Sequence, residues 1–502
     1  MAASDDTKDG IKGLARASVI YGLGSMALRG ATFLLLPLYT RHLTPADYGV
    51  IALAATLTAA LGILYPLGLH GAITRFYFAI PYREARQQNL GNIWMVMVMS
   101  TLGMTILLDQ FGARLSSLFL RDIPFPPYIR LAIWTACCNI LSLLPLNLLQ
   151  IQKRPGLYVL MTAANTLLSN GLAIGLVVFY GQGAYGYLLS LFLTSALLAL
   201  PYVVYTLCSV RLLLRWSIIK ATLIYSLPLV PHGLAGWLLE LSDRIILERY
   251  VSLREVGLYA LGYQFASLVT MVATAMNTAW VPFLFSTDAQ QGTTHTPDLA
   301  RLVTYYTLVL CWVALGLALF AQEALRWLTA PAFHEAYRVV PWVIGGLLFG
   351  GLYFIPANFL FLRSKTGWIP LVTLASGGVN VGLNLWLVPR YGMLGAAWTT
   401  CIAYAVMLVL VWAVSQRVYP LTYEYKRLGA IALAASSLFI VSRLYTFPTA
   451  LTAALGHGVI WLLFPVVLSM CGFFTATEKA LALARAQRIR GRIGRRASHP
   501  SS

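Results

Sequence analysis

Charged side chains inside apolar runs carry the most specific chemistry that the chain offers. Glu240, Asp243 and Arg244 fall in the run 220–246, and Arg29 falls in the run 15–38. A charge in a bilayer core costs about 2.5–3.5 kcal/mol on insertion scales, so such a residue faces a cavity or a partner. Glu240 and Asp243 are spaced i, i+3, and Glu240 and Arg244 i, i+4, which predicts a cluster on one helix face. Arg29 stands roughly 20 Å along its helix, at 1.5 Å per residue, with no acid within a turn or two of it. A guanidinium is a planar fork that grips two oxygens of an anion at once. Arg29, Arg244 and Arg75 are therefore the expected cationic lining of a central cavity. Glu240 and Asp243, the two acids placed inside the membrane, are candidates for holding Arg244 in place or for carrying a proton or a sodium ion. A plainer reading has Asp243 and Arg244 snorkelling at an interface, and Arg75 and Arg130 anchoring helix ends.

Other chemistries lack their materials. Gly181, Gly183 and Gly186 spell GxGxxG. A dinucleotide site needs a strand before that motif and an acid about 20 residues after it. A membrane-length run precedes it instead, and no Asp or Glu occurs between Tyr187 and Glu240. There is no P-loop and no HExxH, so nucleotide hydrolysis in this chain is not expected to power anything. The six cysteines, Cys137, Cys138, Cys208, Cys311, Cys401 and Cys471, lie within or at the edges of apolar runs, without zinc or disulfide spacing. Of the 17 acids, all but Glu240 and Asp243 fall in tails, loops or helix ends. No cofactor, no metal and no enzymatic centre is expected.

The elements that must position these residues are membrane helices. The chain is 59% hydrophobic and 11% charged, against about 25% charged for an ordinary soluble protein. Its mean hydropathy is +0.73. Apolar runs recur at 15–38, 48–70, 90–109, 128–151, 156–180, 184–208, 220–246, 256–283, 300–322, 337–362, 367–389, 392–416, 427–445 and 450–473. Nearly all reach the roughly 20 residues that cross a bilayer, and backbone groups in lipid must be satisfied within each segment, so the runs are helices. The expectation is an all-α polytopic protein of about fourteen transmembrane helices. The first run lacks a small-residue cleavage site after it and is read as a retained helix. Prolines, among them Pro37, Pro145, Pro228 and Pro356, interrupt these helices as kinks or hinges.

Charge orients the bundle. With the N-terminus inside, the inner segments and tail hold 24 Lys and Arg and the outer loops 8, a bias that places both termini in the cytoplasm. Seven of the inner residues form the tail set Lys479, Arg485, Arg488, Arg490, Arg492, Arg495 and Arg496. The net charge of +19 thus fits anionic headgroups rather than nucleic acid.

The chain also repeats itself. RASVIYGL at 16–23 resembles KATLIYSL at 220–227, LTPADYGV at 43–50 resembles VSLREVGL at 251–258, and NGLAIGLVVFYG at 170–181 resembles VGLNLWLVPRYG at 381–392. The offsets of 204, 208 and 211 make the unit six helices, an even number. The copies are then parallel, related by an axis along the membrane normal, as in repeat-built transporters. The expected organisation is a cytoplasmic tail at 1–14, an N-lobe at 15–208, a linker at 209–219, a C-lobe at 220–416, an appended helix pair at 427–473 and a basic tail at 474–502.

The opening stretch GLARASVIYGLGSMALRGATFLLLPLYTRHLTPADYGVIALA and the middle stretch YSLPLVPHGLAGWLLELSDRIILERYVSLREVGLYALGYQ, with NTAWVPFLF at 277–285, resemble Wzx-type polysaccharide flippases. These belong to the multidrug/oligosaccharidyl-lipid/polysaccharide (MOP) exporter superfamily. The resemblance covers about residues 12–415. It implies two MATE-like lobes around a cavity lined by helices one, two, seven and eight. It implies movement of undecaprenyl-diphosphate-linked oligosaccharide across the bacterial inner membrane for O-antigen, exopolysaccharide or capsule, coupled to an ion gradient. The partners it implies are the lipid-linked oligosaccharide and the bilayer, with a polysaccharide polymerase and a chain-length regulator as candidates. The rivals are a multidrug exporter of the same superfamily, a peptidoglycan-precursor flippase, and a polymerase or ligase of polysaccharide assembly. The last is disfavoured because the longest outer gap, 110–127, is short and holds Asp122 as its one acid.

Overall fold

The structure, a computed structural model, describes residues 30, 33–291, 296–445, 447–474 and 478. All regular structure among them is helical: α1 (Leu36–His42), α2 (Pro45–Leu64), α3 (Leu69–Ala79), α4 (Arg83–Phe119), α5 (Arg130–Ile140), α6 (Leu143–Ile151), α7 (Pro155–Ala173), α8 (Gly183–Ser209), α9 (Trp216–Ser226), α10 (Leu229–Tyr250), α11 (Leu253–Ala266), α12 (Leu268–Gln291), α13 (Thr296–Leu328), α14 (Val340–Leu362), α15 (Trp368–Val418), α16 (Tyr425–Leu444) and α17 (Ala450–Met470). Among the described residues, 12 continuous or kinked helical segments are long and apolar enough to cross a membrane. The longest, α15, turns at Gly392 (φ 56°, ψ −136°), a left-handed backbone that favours glycine, and so provides two passes. Each run expected from 48–70 to 450–473 falls on an observed helix or kinked pair; the run 15–38 lies mostly outside the described residues. The break between α9 and α10 falls at Leu227 and Pro228, where proline removes a helix hydrogen bond.

The helices overrun several expected ends, which moves acids inward. α4 continues to Phe119 and so contains Asp109, and α13 runs to Leu328 and contains Glu323. α10 runs to Tyr250 and encloses Glu248, which is 1% exposed. Asp109, Glu248 and Glu323 thus lie within spanning helices alongside Glu240 and Asp243. Each of the three has a polar partner, as burial requires. Asp109 takes Arg130 Nε and Nη2 at 2.7 Å each, Glu248 Oε1 accepts from the backbone N–H of Arg121 and Asp122, and Glu323 lies 3.4 Å from His457 Nδ1.

The chain forms two compact units. The first comprises residues 1–265, 324–346 and 366–411. Within its described part, segments expected on one side of the membrane meet one another. Arg211 N donates to Gln87 O and Arg215 N to Asn92 Oδ1, which ties together inner segments. Loops expected outside meet around two acids. Asp47 caps its own helix at Thr44 and faces Ala184 N at 3.4 Å. Its repeat counterpart Glu255 accepts from Met393 N at 2.7 Å, one residue past the turn at Gly392.

The second unit comprises residues 266–323, 347–365 and 412–502. In its described part, α17 is fastened to α13 by Trp312 and Trp461. Their rings stack at 4.7 Å, and each indole N–H donates to the other's backbone carbonyl. This satisfies both buried polar tips while burying two large faces. Beside it, Arg427 pairs with Glu424 and Glu478 and packs over Phe473. Leu444 and Met470, at 80% and 83% exposure, are apolar side chains suited to lipid contact.

Candidate functional site

The site is built on α10 in the first unit. Asp243 is 1% exposed and Arg244 6%, so neither reaches out to an interface. Arg244 Nη1 donates to Asp243 Oδ1 at 3.1 Å and to the backbone carbonyl of Glu240 at 2.9 Å. The other carboxylate oxygen of Asp243 accepts the hydroxyl of Tyr259, which also lies 3.0 Å from Thr400 Oγ1. The guanidinium sits over the Tyr263 ring at 4.7 Å, within cation–π range. A buried ion pair holds only when its remaining valences are filled, and α11 and α15 supply those groups. Further along α10, Ser242 Oγ lies 3.4 Å from Asn380 Oδ1, which also accepts from Asn384 at 2.9 Å.

Both hydrogen bonds of the Arg244 guanidinium among the described residues leave from Nη1. The residue lines a cavity of about 270 Å³ whose wall includes Tyr39, Tyr48, Thr56, Tyr187 and Gln264. Tyr48 donates to Gln264 Oε1 at 2.5 Å, Tyr39 to Asn170 Oδ1 at 3.2 Å, and the Tyr39 and Tyr187 rings meet edge to face. The wall thus offers one cation, phenol hydroxyls and aromatic faces. Such a lining suits an anion that carries a polar, hydroxyl-rich body.

The structure joins Asp243 and Arg244 as an ion pair, with Glu240 one turn away on the same helix. Glu240 is exposed, and its carboxylate has no hydrogen bond or ion pair among the described residues; its backbone carbonyl is what Arg244 takes. Long helical side chains lean toward the N-terminus. The Arg244 head therefore lies over the Glu240 turn and caps its peptide oxygen. Arg75, on α3, is exposed, stacks 4.2 Å over Tyr225 and does not line this cavity. Arg29 lies outside the described residues. Tyr259, Tyr263, Gln264 and Thr400 were not singled out in the sequence. The signal was there in Tyr259 and Tyr263, two phenols at i, i+4 within an apolar run. Among the described residues, no group of three His, Cys, Asp or Glu could hold a metal ion.

Comparison with known proteins adds context to this geometry. Residues 14–288 match the family model described as polysaccharide biosynthesis protein. "Lsg locus putative protein 1" of Haemophilus influenzae is 23% identical over 394 residues, which span 76% of this chain and 94% of that protein. An uncharacterized membrane protein of the same organism is 24% identical over 379 residues, 74% of this chain and 89% of its own. Among solved structures, the lipid II flippase MurJ in an inward closed conformation superposes with a TM-score of 0.72 at 13% identity, covering 91% of this chain and 100% of that one. An inward-facing multidrug resistance MATE family transporter of the MOP superfamily gives 0.60 at 15% identity, over 81% and 95%. At these identities the structures share the fold.

Proposed function

We propose that this chain, which belongs to the polysaccharide biosynthesis protein family, carries undecaprenyl-diphosphate-linked oligosaccharide repeat units from the inner to the outer leaflet. Its broader class is that of a multi-pass membrane flippase or exporter of the MOP superfamily, in the bacterial inner membrane, and not an enzyme. The observation that carries the finer reading is Arg244, a buried guanidinium held by one nitrogen against Asp243 and lining a cavity of tyrosines and Gln264. A diphosphate must be shielded to cross a bilayer, and a guanidinium fork does this with paired hydrogen bonds. The tyrosines offer hydroxyls to a sugar and ring faces to its apolar edges. A cationic drug would meet Arg244 as a like charge, which favours the anionic lipid over a multidrug substrate.

In this reading Arg29 is a second cation for the diphosphate, and Arg75 a more distant one. Two parallel lobes, 15–208 and 220–416, alternate access to the cavity, with the helix pair 427–473 appended and both termini cytoplasmic. Glu240, whose carboxylate forms no hydrogen bond or ion pair among the described residues, is the candidate for a coupling proton or sodium ion, while Asp243 holds Arg244. A polymerase and a chain-length regulator would act on the delivered unit. Deletion of the protein tests the reading: lipid-linked repeat units should accumulate on the inner leaflet. Normal surface polysaccharide in a deletion strain without a second flippase would overturn it.

A further inference from the structure

A second cavity in the first unit, about 330 Å³, shares no lining residue with the one at Arg244. It lies where the start of α4, the turn after α6 and the end of α8 meet. Its wall includes Arg83, Arg86, Arg154, Gln152, Tyr77 and Ser209, and no acid. Glu84, the acid next to Arg83 in sequence, is engaged elsewhere, 3.1 Å from Arg211. Arg86 is fixed in place. Its Nε and Nη2 donate to the carbonyls of Ile80 and Pro81, and its head stacks 4.5 Å over Tyr77, which orients its positive charge without neutralising it. Arg83 and Arg154 are exposed and form no ion pair among the described residues. Arg154 is brought to the wall by a tight turn at Lys153, whose φ is 54°.

Three guanidinium groups around one cavity repel each other until an anion joins them. A tetrahedral phosphate offers acceptor oxygens in several directions, which suits three converging forks better than a planar carboxylate does. The surroundings point to where that phosphate comes from. Phe78 and Tyr82, on the same segment, are 69% and 77% exposed, and aromatic rings in that setting mark the headgroup level of a bilayer. Basic pockets between transmembrane helices on the cytoplasmic side take anionic headgroups. We propose that this cavity binds the phosphate of an anionic phospholipid, at a site separate from the transport cavity. The proposal stands independently of which substrate the protein carries.

The test uses the full chain in nanodiscs of phosphatidylcholine with and without phosphatidylglycerol, and in detergent with inorganic phosphate. Native mass spectrometry should show retained phosphatidylglycerol on the wild type. Binding to Arg83→Gln/Arg154→Gln should be roughly thirtyfold weaker, the loss of two basic side chains at a lipid surface. Both residues are exposed, so the fold should survive; Arg83→Lys/Arg154→Lys should keep part of the binding. Arg114→Gln, which removes an exposed charge elsewhere, should bind as the wild type does. If inorganic phosphate binds and the double variant loses it, while phosphatidylglycerol is not retained, the phosphate site stands and its lipid origin is overturned. Equal lipid retention by the double variant, or an equal loss in Arg114→Gln, overturns the site.

Discussion

Gly49 of α2 and Gly257 of α11 pack backbone against backbone, each on the other's helix. A Cβ on Gly49 would strike the carbonyl oxygen of Leu253, and one on Gly257 would strike that of Pro45. The two glycines are counterparts in the repeat of 43–50 with 251–258, as are Pro45 and Leu253. Gly49 thus meets the counterpart of Pro45, while the counterpart of Gly49 meets Pro45 itself. The acids two residues before each glycine behave alike as well: Asp47 faces the N–H of Ala184 and Glu255 that of Met393.

Adding a methyl at either glycine should loosen this approach. Gly49→Ala and Gly257→Ala are each expected to cost about 1–3 kcal/mol, the range for overpacking. Because they disturb one contact, the double variant should cost clearly less than the sum of the two. Thermal unfolding of the purified variants measures this; full additivity would show that the two glycines act separately.

Removing one partner of the buried pair should be far more damaging than trimming its support. Asp243→Ala leaves Arg244 buried without its counter-charge and is expected to cost about 3–5 kcal/mol. Tyr259→Phe removes one hydrogen bond to the carboxylate and should cost about 1.5–3 kcal/mol. Denaturation in detergent, with membrane abundance as a second readout, checks the order. An Asp243→Ala variant as stable as the wild type would mean that the pair contributes nothing to the fold.

Cysteine accessibility checks the orientation. Single cysteines introduced at 152–155 and in the C-terminal tail, in a background lacking the native ones, should label from the cytoplasm, and those at 181–184 from outside. A tail that labels from outside would contradict both the charge bias and the parallel repeat.

Much of the bundle was legible because its two strongest signals are local. Apolar run length placed the helices from 48–70 onward, and the unusual cost of a buried charge picked out Asp243 and Arg244. Gly49 and Gly257 stand at matching places in the two similar stretches, and close backbone approach tolerates no side chain at either. What was not legible depends on distant packing. Glu323 and His457 are 134 positions apart, and hydropathy ended the ninth helix one residue before Glu323. Glu248 is buried because it accepts two backbone N–H groups from a loop 126 and 127 positions away. That Arg244 takes the backbone carbonyl of Glu240 was not legible either, because i, i+4 spacing describes where side chains start on a helix, not where a long guanidinium ends.

The central claim is that Arg244 meets the diphosphate of a lipid-linked oligosaccharide during its passage. Its most direct test is the transbilayer movement of a fluorescent undecaprenyl-diphosphate oligosaccharide in proteoliposomes, comparing the wild type with Arg244→Lys at equal reconstitution. The lysine keeps the charge beside Asp243 but loses the fork, and one charge-assisted hydrogen bond corresponds to at least about a tenfold loss of rate. Wild-type protein that moves the lipid, with Arg244→Lys at least about tenfold slower, is the predicted result. Equal rates for the two, or no movement by the wild type, would contradict the account.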